Sequence, residues 1–137
     1  MGIILDSSIL VAFERRRFDL ERLLADHSPP AIAAMTAAEL LIGVERADTP
    51  ERRQRRELFV QNILSRTPII PFDLAQARLF AFHFAQLSAG GEIIGSRDLE
   101  IAVTALSLGY DLATLNVREF QRITTLRLIN VSNYIPR

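Results

Sequence analysis

The sequence predicts an α/β fold, an α/β/α sandwich around a mostly parallel central sheet of about five strands. Three observations carry this. Short apolar runs rich in Ile, Leu and Val alternate with longer segments of helical periodicity. Cap and breaker residues mark most of the boundaries between them. The chain has 137 residues, 49% of them hydrophobic, which suits one domain with a substantial core.

Each element follows in order. Ile3, Ile4 and Leu5 form an apolar, partly β-branched run, so residues 3–6 read as the first strand with Asp6 at its carboxyl end. Ser7 or Ser8 caps a short helix over 8–14. Phe18, Leu20, Leu23 and Leu24 fall at helical spacing within 18–27, and Pro29-Pro30 ends that helix. Residues 31–35 read as a second strand. Thr36 and Glu39 then fit a capping box for a helix reaching Ala47. Pro50 suits the first turn of a helix over 50–66. Residues 68–72 form a third strand, Asp73 caps a helix reaching Ala89, and Gly90-Gly91 stops it. A helix over 98–109, closed by Gly109, is apolar on nearly every side and therefore buried. Residues 110–116 give a fourth strand, 117–123 a short helix or turn, and 127–132 a fifth strand.

Composition removes many functions. There is no repeat, linker or low-complexity stretch, so residues 1–137 read as a single domain. No apolar run approaches the ~18 residues of a membrane span, and the N-terminus lacks the basic region and cleavage site of a secretory signal. The chain has no cysteine, which excludes disulfides, thiolate zinc sites and cysteine nucleophiles and is compatible with a reducing cytoplasm. The two histidines, His27 and His83, form no metal-spaced pair and read as ordinary surface or helix residues. Sixteen basic and sixteen acidic residues cancel, which argues against a strongly basic nucleic-acid-binding domain but leaves room for local patches. All the basic residues are arginine, the side chain whose planar fork suits phosphate and carboxylate, although codon bias gives the same composition.

What remains is a set of acids near the carboxyl ends of the strands, where open parallel sheets place their sites. Asp6 ends the first strand, Glu39 sits in the first turn after the second, Asp98 opens the apolar helix, and Asn116 and Glu119 follow the fourth strand. Each has a local explanation as well: a turn residue for Asp6, a capping-box partner for Glu39, a helix-dipole acid for Asp98, a solvated charge for Glu119. As a group they pose a physical problem. Two carboxylates about 4 Å apart repel by about 4 kcal/mol at an effective dielectric near 20. A hard divalent cation, Mg²⁺ or Mn²⁺, removes that cost and activates water for attack on a phosphodiester.

The segments "IILDSSILVAFER", "TAAELLIGVERAD", "IGSRDLEIAVTALSLGYDLATLNVREFQRI" and "LRLINV", in this order and spacing, are similar to the PIN-domain ribonucleases, specifically the VapC-type toxins of type II toxin–antitoxin modules. The resemblance spans essentially the whole chain and implies a PIN-like α/β/α sandwich. It implies an Mg²⁺-dependent endoribonuclease (Mn²⁺ being the alternative cation) acting on structured RNA such as tRNA or rRNA. Residue by residue, it assigns Asp6, Glu39 and Asp98 to catalysis and metal binding. Glu119 or Asn116 would complete the set, since this chain has Asn116 where many PIN domains carry aspartate. Ser8 and Thr114 would hold Asp6 in place, and Arg15, Arg16, Arg17 and Arg97 are candidate phosphate contacts. The implied partners are a cognate VapB-like antitoxin, seated in a groove that includes Leu40, Leu41, Val44, Leu58 and Phe59, and a second copy in a homodimer, with no membrane involved. The alternative is a catalytically weak PIN-like module that regulates through binding.

Overall fold

A computed structural model describes residues 1–137 as four strands and seven helices, with one short 3₁₀ turn near the C-terminus. The strands are β1 (Ile3–Leu5), β2 (Pro30–Ala33), β3 (Ile69–Ile70) and β4 (Asp111–Ala113). Their order is β3-β2-β1-β4, and every pairing is parallel. Ile4 stands opposite Ala31 on one side and Leu112 on the other.

The helices are α1 (Ser7–Glu14), α2 (Leu20–Asp26), α3 (Ala34–Glu45), α4 (Pro50–Arg66), α5 (Leu74–Ala89), α6 (Ser96–Leu108) and α7 (Val117–Phe120). Strand side chains alternate between faces, and the core divides accordingly. Ile3, Leu5, Ile32 and Ala113 join α1 to α4 in one cluster of 17 buried residues. Ile4, Ala31, Ala33 and Leu112 join α5 to α7 in another of 14. Two apolar clusters on opposite faces of one parallel sheet make the three-layer sandwich. They also require the central strands to be apolar on both sides, as β1 is.

The helix boundaries have identifiable causes. Asp73 accepts from the backbone N–H of Gln76 at 3.0 Å and Thr49 from that of Arg52 at 3.1 Å, so α5 and α4 begin where the caps stand. Gly109, at φ 65°, closes α6 in the left-handed conformation that glycine adopts without steric cost.

Two expectations are corrected. Residues 127–132 are not a fifth strand: Leu128 forms a single parallel bridge with Leu112. The Asn130 side chain accepts from the backbone N–H of Ser132 at 3.1 Å, and the chain turns into Ser132–Tyr134 instead of extending the ladder. Thr36 does not cap α3, which starts directly after β2, with Ala33 in the cap position. Thr36 lies inside the first turn, fully buried, and its hydroxyl has no hydrogen-bond partner.

A candidate carboxylate site at the sheet edge

The sheet order puts β1 between β2 and β4. The chain leaves β1 in one direction toward β2 and β3 and returns on the other side as β4. That reversal is the switch point at which open α/β sheets hold their ligands. Asp6 follows β1 there and is 2% exposed. Its Oδ2 accepts from the Ser8 hydroxyl and from the Thr114 hydroxyl, each at 2.7 Å. Both supports are themselves fixed. The backbone N–H of Leu115 donates to Ser8 Oγ at 3.0 Å, and that of Asn116 donates to Thr114 Oγ1 at 2.9 Å. A buried charge is tolerated when it is hydrogen-bonded in this way, and the chain from backbone through hydroxyl to carboxylate also locks its orientation.

Glu39 lies on α3, half-buried, and its Oε1 accepts from Ser7 Oγ at 3.2 Å. The sequence offers Ser7 only as a helix cap, but Asp6 holds the cap position and Ser7 is the first residue of α1. Its contact spans 32 positions, so no local pattern reveals it. Burial pushes the Glu39 carboxyl above its ordinary range, and the Asp6 and Asp98 charges add to this, while Ser7 and Arg97 act in the opposite direction. Asp98, at the third position of α6, is likewise raised, first by burial and then by Asp6 and Glu119. Four carboxylates from four elements therefore share one electrostatic environment. Glu119 is tied to Arg122 at 3.2 Å, and Arg122 also donates to the Ile93 carbonyl. Asn116 is exposed and makes no side-chain capping bond at the start of α7.

The carboxylates converge without closing up: no three acidic or histidine side chains stand at metal-ligand spacing. The donor set is nonetheless all oxygen, with Asp6 buried, its neighbours half-buried and the charges mutually repulsive, which is the chemistry a hard divalent cation matches.

The other expected residues divide. Arg15 and Arg17 line an open depression together with Ser7, Ser8 and Asn116, beside the acids. Arg16 faces away, into a cleft between α1, α3 and α4. Of the groove residues, Leu40 and Val44 are core, 5% and 4% exposed, because α3 turns them toward the sheet. Leu41 and Leu58 are on the surface, and Phe59 is half-buried against Phe13.

A PIN-domain family model matches residues 3–126. This chain belongs to the PIN-domain family, as a VapC-type ribonuclease. Ribonuclease VapC1 of Rickettsia felis is 34% identical over 133 residues, covering 97% of this chain and 98% of the relative. The tRNA(fMet)-specific endonuclease VapC of Shigella flexneri is 32% identical over 107 residues, covering 78% of this chain and 79% of the relative. Among solved structures, a chain of VapBC2 from Rickettsia felis, bound to a DNA fragment from its promoter, superimposes with a TM-score of 0.84 at 30% identity. That match covers 95% of this PIN domain and 98% of the solved chain.

Proposed function

We propose that this chain is a divalent-metal-dependent endoribonuclease toxin, cutting structured RNA and held inactive by a VapB-like antitoxin. The observation that carries the reading is the clamped Asp6, facing Glu39 and Asp98 on neighbouring elements, both of them raised by burial first and by the Asp6 charge next. Asp6, Glu39 and Asp98 would hold the cation, Mg²⁺ or Mn²⁺, with Glu119 or Asn116 at the margin. When bound, the cation neutralises the carboxylates and supplies an activated water. Ser8 and Thr114 hold Asp6 in one orientation, Ser7 holds Glu39, and Arg15, Arg17 and Arg97 flank the acids where a phosphodiester would approach.

The Shigella relative's name makes tRNA the first substrate to test, and the VapBC2 structure makes a VapB-type protein the expected partner. Leu41, Leu58 and Phe59 are the apolar surface left for an antitoxin helix. Exposed Phe72, just before α5, and exposed Phe84, on it, pack on either side of half-buried Phe80, and this aromatic face is the one we assign to a homodimer. No helix is long and apolar enough to cross a membrane, and a cytoplasmic location fits an RNA substrate. The test is cleavage of total RNA by antitoxin-free protein with Mg²⁺, with EDTA and with Asp98→Asn. Discrete fragments that need both the cation and Asp98 support the reading. Cleavage that survives EDTA or the substitution overturns it.

A further inference from the structure

The cleft that receives Arg16 is separate from the carboxylates and has a volume of about 840 Å³. Five arginines line it: Arg16 after α1, Arg46 after α3, and Arg52, Arg55 and Arg56 from α4. The last three share a helix face because residues three and four apart do so. Gly43 leaves room for Arg56, whose Nη1 lies 3.0 Å from where a Cβ would stand. Two acids partly balance the charge: Asp48 pairs with Arg52 at 2.8 Å and Glu14 with Arg56 at 3.1 Å. Arg16, Arg46 and Arg55 have no carboxylate partner.

Two further features connect this cleft to the acids. First, α1 runs from Ser7, beside Asp6, to Glu14 at the cleft wall, a length of about 12 Å. Arg15 and Arg17 face the depression next to Ser7 and Ser8, while Arg16 faces the cleft. Three consecutive arginines thus carry positive charge around the end of α1 from one concavity to the other. Second, Arg16 holds φ 59°, a left-handed conformation that glycine adopts freely and other residues adopt at a cost. An arginine occupies the position where a helix terminus favours glycine.

We propose that this arginine cleft is a second RNA-backbone site, holding phosphates of the substrate on the far side of α1 from the bond that is cut. It rests on the nuclease reading and adds to it where the rest of the RNA lies. Guanidinium forks bind phosphate oxygens bidentately, and three unpaired forks in one open cleft suit a polyanion. Substrates long enough to reach around α1 gain affinity there, without any change at the scissile phosphate.

The test compares Arg46→Gln/Arg55→Gln with the parent chain, both antitoxin-free. Both side chains are exposed and unpaired, so folding is retained. Binding of bulk tRNA is measured in the Asp98→Asn background over a salt series, and cleavage is measured in the active background. We expect Kd to rise about tenfold and the slope of log Kd against log salt to fall by about one to two. In cleavage, KM rises while kcat is kept. Arg16→Gly is the second variant: its melting temperature is unchanged or higher, yet tRNA binding weakens, a combination that a structural role does not give. Unchanged Kd, slope and KM in both variants, with normal cleavage, overturn the cleft and leave the nuclease standing. Weaker capture of the antitoxin with tRNA binding intact assigns the cleft to that partner and also overturns it. A parent chain that cleaves no RNA removes the nuclease reading and this inference with it.

Discussion

Asp6 carries two hydroxyl donors on one oxygen, and the value of each can be predicted separately. Thr114→Val keeps the β-branched shape but removes the bond to Asp6 and the acceptor for the Asn116 N–H. Groups that orient a metal ligand typically matter by about 10–100-fold in affinity or activity, and a lost buried hydrogen bond costs about 1–2 kcal/mol. We expect cleavage to fall by about that factor with a modest drop in stability, read from kinetics and thermal melting. Thr36 presents the opposite case. Its hydroxyl is fully buried without a partner. Thr36→Val removes an unsatisfied group and should stabilise the fold by about 1 kcal/mol, a rise of about 3 °C in Tm. A fall in Tm would show that the hydroxyl has a partner in solution.

At the scale of elements, Gly109 gives a clean test of helix termination. The left-handed C-cap of α6 strains any side chain, although nothing lies near its added Cβ. Gly109→Ala should therefore cost about 1 kcal/mol through backbone conformation alone, measurable by denaturant unfolding. This is also the scale at which sequence reading succeeds and fails. β1 and α6 were legible because their residues are apolar on all sides, and α4 and α5 because Pro50 and Asp73 mark their starts, while the Thr49 cap of α4 came from the structure. The capping box at Thr36 and Glu39 had the right pattern, but β2 runs straight into α3 and starts the helix three residues early, with Ala33 in the cap position. Glu39 then reaches Ser7 instead of its own backbone. The segment 127–132 had a strand's composition, but one Asn130 side chain redirects its backbone. In the site, the placement of Asp6 was legible because a strand end fixes it. The α4 arginines were visible as a run, but only the fold shows that Arg52, Arg55 and Arg56 face Arg16 and Arg46 across a cleft.

At the scale of the whole molecule, the shared field of the carboxylates ties stability to pH and to cations. Glu39 and Asp98 are raised above the ordinary carboxylate range, each by burial first and by Asp6 next. The folded chain therefore binds their protons more tightly than the unfolded chain does. Their stabilising contribution is complete below the unfolded pKa values and is lost as pH rises through the raised ones. For EDTA-treated protein, Tm should fall as pH rises from the ordinary carboxylate range toward neutrality. Asp98→Asn should flatten this dependence, because one proton-binding group is gone and the charge on Glu39 is relieved. The same variant should remain folded while cleavage falls by about 10²–10³-fold. Adding Mg²⁺ or Mn²⁺ reverses the trend. A cation that binds only the folded chain stabilises it by about 2.7 kcal/mol at a hundred times its Kd. Because its ligands must first lose their protons, the gain should be larger at pH 7 than at pH 5. Melting curves at the two pH values, with and without Mg²⁺, decide the matter. A cation effect of equal size at both, or one that persists in Asp98→Asn, would place the bound ion away from these carboxylates.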